Sequence, residues 1–258
     1  MSYILKHLEE KNYCAQRPLA LIVAGTSTIG QSLISSLIND GYFVVFTWHT
    51  NEAAANLIIE SNYNYACSIQ LNLTNKDEVL LFCGAIENIK FDVTIYCAGK
   101  NPAVLCDALD IEEINSTVLM NYVSPMLIIN QIGKTMKQYK DNETKILYVS
   151  SVAAEKISIG NSIYGSTKLA MERYLASVAL EMARFNIRIL CLRPGYIKTK
   201  MLEDFCQQTG NTLHGIEKTI PMRKMLSSND FVNAALAFIK GQIVTTGVTL
   251  TIGNGEGI

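Results

Sequence analysis

Short apolar runs alternate with helical stripes along the whole chain. Residues 19–23 form a continuous apolar run bounded by Pro18 and Gly25, which reads as a strand buried on both faces. In residues 30–40, Leu33, Ile34, Leu37 and Ile38 share one helical face, and Gly41 supplies the stop. Residues 42–47 and, more weakly, 65–71 read as the second and third strands. Residues 93–97, 145–150 and 188–193 read as the next three, the last halted by Pro194-Gly195. Helical spacing recurs at Val79, Leu80, Phe82 and Ile86 within residues 76–88. It recurs across 111–139 with a kink at Pro125, across 163–184, and across 229–240 with Asp230 in the first turn. Residues 248–252 read as the last strand. This alternation predicts an α/β fold: a Rossmann-type doubly wound parallel sheet of about seven strands, with helices on both faces. Such sheets bind ligands beyond the carboxyl ends of their strands, where strand order reverses. An α/β domain that transforms nothing is the alternative at this level.

Composition narrows the class. The chain has 258 residues, 49% of them hydrophobic, enough for a core without disulfide or metal support. Residues 19–258 are expected to fold as one domain after an N-terminal extension of residues 1–18. Lys plus Arg is 22 and Asp plus Glu is 23, so there is no basic excess for nucleic acid. No apolar run nears the roughly 20 residues of a membrane helix. Lys6, Glu9, Glu10 and Lys11 stand where a signal peptide would be apolar, so a cytoplasmic protein with no membrane partner is expected. The seven cysteines include no Cys-x-x-Cys pair, and His7, His49 and His214 are widely separated. Neither a disulfide framework nor a metal site is expected.

The first turn, Ala24-Gly25-Thr26-Ser27-Thr28-Ile29-Gly30, joins a strand to a helix. A helix N-terminus there offers N–H groups and a positive dipole end to an anion. Gly25 suits a tight turn, and Gly30 suits close packing or ligand approach. The second strand ends in Thr47-Trp48-His49-Thr50-Asn51, with no carboxylate to accept from a ribose 2′-OH or to repel a 2′-phosphate.

More specific chemistry lies after strands four and five. Ala98 and Gly99 end strand four with small residues, and Asn121 sits mid-helix. Ser151 follows strand five, and Tyr164 and Lys168 are four apart, which places them one turn apart on one helical face. A phenol titrates near ~10, and a neighbouring ammonium favours the phenolate. That pairing suits an acid/base exchanging a proton with an alcohol or carbonyl oxygen. A Ser151 hydroxyl suits the same oxygen as charge develops on it. Read singly, Tyr164-x-x-x-Lys168 fits a solvated helix face, Ser151 a strand-end cap and Asn121 a satisfied core amide.

Together these residues resemble the short-chain dehydrogenase/reductase family in its compact single-domain form. Ser151 stands thirteen residues before Tyr164, the family spacing, and SSVAAEKISIGNSIYGSTKLAMERYLASVALEMARFNIRILCLRPGYIKTKM follows the family pattern. Similarity is greatest to 3-oxoacyl-carrier-protein reductases and related ketoreductases.

The resemblance implies an oxidoreductase that interconverts a carbonyl and a secondary alcohol, or a 3-oxoacyl thioester, with a nicotinamide cofactor; the missing carboxylate at Trp48-His49 makes NADP(H) the expected form in preference to NAD(H). It makes Tyr164 the acid/base, Ser151 the orienting hydroxyl, Lys168 a ligand of the nicotinamide ribose, and Asn121 a holder of the relay water. It assigns the cofactor to Gly25, Ser27, Thr28, Ile29 and Gly30 in the first turn, and to His49. Asn72 and Leu73 fall near the adenine. Ala98, Gly99, Tyr164, Lys168, Pro194, Gly195, Ile197 and Thr199 fall along the rest of the nucleotide. Residues 196–224 become a substrate lid, its polar part at 207–215. A homodimer or homotetramer is implied through the two long helices and the last strand. Met171, Leu175, Val178, Ala179 and Met182 are expected to give the second helix surplus apolar surface.

The sequence departs from the family at the cofactor. The first turn is one residue short and lacks the middle glycine, Tyr96-Cys97 replaces an Asn pair, and Asn72 replaces an acidic residue. These changes keep open a non-catalytic member, serving as a subunit or a binding module with impaired nucleotide binding.

Overall fold

The computed structural model describes residues 17–139 and 142–256. Of the expected extension only Arg17 and Pro18 are described, and Cys14 and His7 fall outside. Seven strands form one parallel sheet: β1 (Leu19–Val23), β2 (Phe43–Trp48), β3 (Ala66–Gln70), β4 (Val93–Tyr96), β5 (Thr144–Val149), β6 (Ile187–Pro194) and β7 (Val248–Ile252). Their order is β3-β2-β1-β4-β5-β6-β7, so strand order reverses between β1 and β4. The register pairs Ile22 with Phe46 on one side and with Ile95 on the other.

The helices are α1 (Thr28–Asn39), α2 (Glu52–Ser61), α3 (Lys76–Ala85), α4 (Ile111–Val118), α5 (Ser124–Met136), α6 (Ser162–Met182), α7 (Lys200–Thr209), α8 (Leu213–Thr219) and α9 (Ser228–Ile239). Strand residues alternate between two cores, which is why β1 is apolar without a break. Leu19, Leu21 and Val23 pack with α3, α5 and α6, whereas Ala20 and Ile22 pack with α1, α2 and α9. Leu202, Cys206 and Ile216 of α7 and α8 form a separate small cluster. Among the described residues no helix is long and apolar enough to cross a membrane.

Three helices have no counterpart in the periodic pattern. Only Ala55 of α2 is buried, and α7 and α8 bury three side chains between them, so each shows too thin an apolar stripe. All three are capped by side chains: Asn51, Thr199 and Thr212 accept N–H bonds at their N-termini.

The kink expected at Pro125 is a π-helical turn, Leu119–Val123, between α4 and α5. Pro125 has no N–H to offer the carbonyl four residues back, that of Asn121. The Tyr148 hydroxyl donates to that carbonyl instead at 3.1 Å, and the Tyr96 hydroxyl donates to the Met120 carbonyl at 2.8 Å. The two rings stack 5.8 Å apart beneath the turn.

The apolar residues of α6 expected to be surplus are core. Met171, Leu175, Val178, Ala179 and Met182 are all buried against the sheet, because α6 presents that stripe to β4, β5 and β6. Leu169 and Leu180 face outward instead.

Candidate active site

A cleft of about 240 Å³ opens at the carboxyl ends of the central strands. Ser27, Thr28 and Ile29 line it from the start of α1, and Cys97, Ala98 and Gly99 from the end of β4. Ser150 and Ser151 line it after β5, Tyr164 and Lys168 from α6, and Pro194, Gly195, Ile197 and Thr199 after β6. Strand order reverses at this point, as the doubly wound architecture requires of a ligand crevice. The cleft lining also includes Asn101, Lys156, Ser158 and Asn161, which the sequence did not mark, and Met201 and Phe205 of the expected 196–224 lid. They lie on connecting loops and on α7, where no periodicity marks them.

The first turn is built differently from the sequence expectation. The left-handed residue is Ala24, at φ 64°, not a glycine. A Cβ on Gly25 would stand 2.6 Å from Phe46 Cβ, so this glycine serves strand packing. One on Gly30 would stand 2.6 Å from the Ala24 carbonyl oxygen, so that glycine lets α1 start against the turn. Ser27 caps α1, its hydroxyl accepting from Gly30 N at 3.1 Å. Thr28 and Ile29 hold the first two helical positions, where N–H groups have no intrahelical partner. No acidic side chain stands in that first turn. Those amides, the small residues Ala98 and Gly99, and the Pro194–Thr199 segment fit a dinucleotide with its phosphate at the helix end.

Five expected contacts lie outside the cleft lining: Gly25 and Gly30, which serve packing, and Asn72, Leu73 and His49. Leu73 is core, and Asn72 turns its carbonyl oxygen back onto Thr74, accepting from the Thr74 amide at 3.0 Å and hydroxyl at 2.8 Å. His49 is exposed at the end of β2.

Tyr164, Lys168 and Ser151 meet at one wall. Ser151 hydrogen-bonds the Tyr164 phenol and also accepts from Ala153 N at 3.2 Å, capping the short turn Val152–Ala154. Gly165 makes this approach possible, since a Cβ there would overlap the Ala153 carbonyl oxygen. Lys168 is 2% exposed and donates to the carbonyls of Val149 at 2.8 Å and Ala98 at 3.3 Å. Its ammonium sits 4.7 Å from the Tyr148 ring centroid and 5.8 Å from that of Tyr164.

The electrostatics differ from the sequence expectation at Tyr164. Burial raises the phenol above its usual 10.0, and the Ser151 hydrogen bond draws it only partly back. Burial also pulls Lys168 down to about 8, against opposing pushes from Cys97, Glu172 and Cys191. Burial disfavours the charged form of each group, raising the phenol and lowering the ammonium.

Asn121 stands fully buried behind this wall. Its side chain accepts from Lys100 N at 2.8 Å and donates to the Lys100 carbonyl at 2.8 Å and Thr167 Oγ1 at 3.1 Å. The amide therefore braces the segment after Gly99 and does not line the cleft.

Comparison with known proteins agrees with this geometry. Residues 18–210 match the family model of short chain dehydrogenases. The chain is 25% identical over 234 residues to carbonyl reductase family member 4 of Xenopus laevis, covering 90% of this chain and 95% of that protein. Its fold matches the 3-ketoacyl-(acyl-carrier-protein) reductase of Brucella melitensis complexed with NADH, at TM-score 0.81 and 22% identity over 93% of this chain and 98% of the other. It also matches an actinorhodin polyketide ketoreductase variant with NADPH, at TM-score 0.84 and 18% identity over 94% and 98%. A reversing parallel sheet, a helix N-terminus at the cleft and a Ser-Tyr-Lys wall thus coincide with a family match over most of the sequence, and the chain belongs to the short-chain dehydrogenase family of oxidoreductases.

Proposed function

We propose that this protein is an NADP(H)-dependent oxidoreductase that interconverts a carbonyl group and a secondary alcohol, with Tyr164 as acid/base. The observation that carries the reading is the convergence of Ser151, Tyr164 and Lys168 on one wall of the cleft. When bound, a nicotinamide supplies or accepts the hydride. Tyr164 gives its phenolic proton to the carbonyl oxygen in reduction and takes it back in oxidation. Ser151 donates a hydrogen bond to the same oxygen as negative charge builds on it. Lys168 holds the ribose of the nucleotide and sets a positive charge beside the phenol. Burial raises the Tyr164 phenol, so it is protonated at neutral pH and available as the acid of the reductive step.

The preference for NADP(H) rests on the end of β2. Thr47-Trp48-His49 presents no carboxylate to repel a 2′-phosphate. The substrate end pairs Met201, Leu202 and Phe205 with Asn101, Ser158 and Asn161, which suits a ketone or a 3-oxoacyl thioester with one apolar side. Residues 196–224, with α7 and α8 on their own small cluster, act as the lid. A second copy of the chain covers the outward residues of α6 and the exposed edge of β7, giving a homodimer or homotetramer.

One observation favours a second reading. The first turn is short, and Ala24 adopts a left-handed conformation that an L-residue takes at some strain, as a degraded nucleotide cradle would. Thermal unfolding with NADPH, with NADH and with neither separates the readings. A nucleotide at 100 times its dissociation constant adds about 2.7 kcal/mol. NADPH is expected to raise the midpoint and NADH to raise it less. No shift with either nucleotide points to a non-catalytic member. In the catalytic reading Tyr164→Phe lowers kcat by roughly a hundredfold or more while nucleotide affinity stays within a few-fold.

A further inference from the structure

Glu172 lies one turn beyond Lys168 on α6, faces inward, and is 5% exposed. Its Oε1 accepts from the Ser150 hydroxyl and from Arg193 Nε at 3.1 Å, and its Oε2 accepts from Arg193 Nη2 at 2.6 Å. The Arg193 guanidinium also pairs with Glu155 and reaches Thr251 Oγ1 at 3.4 Å. One carboxylate and one guanidinium therefore join α6 to the ends of β5 and β6, the loop after β5, and β7. Three of the joined segments carry a cleft residue at the next position: Ser151 after Ser150, Pro194 after Arg193, Lys156 after Glu155.

A buried ion pair is a poor device for stability alone, because desolvation offsets most of the attraction. An apolar pair of similar volume would brace the same segments. It would not place a negative charge facing Lys168. The groups around that ammonium are Cys97 just after β4, Tyr148 of β5, Cys191 of β6, and Tyr164 and Glu172 of its own helix, with Arg193 beyond. Burial holds both thiols up at about 12 and raises both phenols, so these four are neutral near pH 7. Glu172 is the carboxylate among them.

We propose that Glu172 is a positioning residue for the Ser151–Tyr164–Lys168 centre, clamping the strand ends that carry Ser151 and Pro194 onto α6 and supplying the negative charge that faces Lys168. The proposal rests on the acid/base reading of that centre. Its test is a pH titration of the Lys168 13Cε resonance by NMR, assigned by loss of the signal in Lys168→Met, in the wild-type chain, Glu172→Gln and Glu172→Asp. The pH profile of kcat with NADPH and a reactive ketone is recorded beside it. Glu172→Gln is expected to move the Lys168 midpoint to lower pH and to lower kcat about tenfold, with KM little changed. Glu172→Asp, which keeps the charge, is expected to keep the midpoint near that of the wild type. An unmoved midpoint in Glu172→Gln, with only a lower melting temperature, would reduce Glu172 to a structural brace and overturn the proposal. Should Glu172→Gln not fold, the double variant Glu172→Gln/Arg193→Gln leaves no unpaired buried ion; its Lys168 midpoint is compared with that of Arg193→Gln, which differs from it only in the Glu172 charge, and a midpoint no lower than that overturns the proposal. The NMR arm needs no turnover. A wild-type chain inactive with every ketone therefore counts against the proposed function, while the Lys168 midpoint still decides the role of Glu172.

Discussion

At Lys168 burial works against the charge that the chemistry uses. The ammonium is held by two carbonyls yet drawn down from 10.5 to about 8 by desolvation. The folded state therefore binds fewer protons than the unfolded state between pH 8 and 10.5, and the stability contribution of this group rises with pH across that window. Below pH 8 the burial penalty is fully present. Lys168→Met removes it, so this variant is expected to melt no lower than wild type at pH 7, with a gain of up to about 3 kcal/mol. Its urea stability is expected to be flatter between pH 8 and 10 than that of the wild type. A clearly less stable Lys168→Met would show that the two carbonyl bonds outweigh desolvation. Gly165→Ala is expected to separate Tyr164 from Ser151, because the added Cβ meets a backbone carbonyl that cannot turn away. A loss of kcat with little change in nucleotide affinity would mark that separation, and unchanged kinetics would refute it. At this scale the spacing of Ser151, Tyr164 and Lys168 was legible in the sequence. Glu172 was not, because an acidic residue on a helix usually faces water, and only tertiary packing turned this one inward.

At the scale of elements, the junction between α4 and α5 shows how a proline is accommodated. Pro125 leaves the Asn121 carbonyl without its helical donor, and Tyr148 fills the gap from the neighbouring strand. Tyr148→Phe keeps the ring stacked on Tyr96 but leaves that buried carbonyl unpaired. It is expected to cost about 1–3 kcal/mol, measured by denaturant unfolding. A cost near zero would mean that the π turn satisfies the carbonyl by itself. The helical pattern of residues 111–139 was readable, and so was the place of the break. The form of the break was not, since it depends on β4 and β5 placing two hydroxyls beneath it. Likewise α2, α7 and α8 escaped the periodic pattern because they bury few side chains, whereas α1 buries Leu33, Ile34 and Leu37 on one face and α9 buries five, and both were visible.

For the whole molecule, the apolar surface left after folding bears on self-association. The stripe of α6 expected to meet another subunit is spent on the sheet, while Leu169 is 50% and Leu180 80% exposed. Leu180→Asp is expected to weaken assembly without disturbing the core, measured by light scattering on the eluting protein. A wild-type chain that elutes as a monomer at every concentration would remove the basis for this expectation. On β7 the exposed Val248 and Leu250 continue the outward apolar surface at the sheet edge.

By itself the sequence determined the strand–helix alternation and the parallel sheet, which follow from local periodicity, and its resemblance to the family pointed to Ser151, Tyr164 and Lys168 as candidates. Periodicity and spacing survive any arrangement of distant parts. Tertiary structure alone decided which charges are dry, which glycines serve packing, and which faces remain outside. Desolvation and steric contact depend on neighbours far away in the chain, and at Tyr164 burial among them raises the phenol, which no local spacing announces.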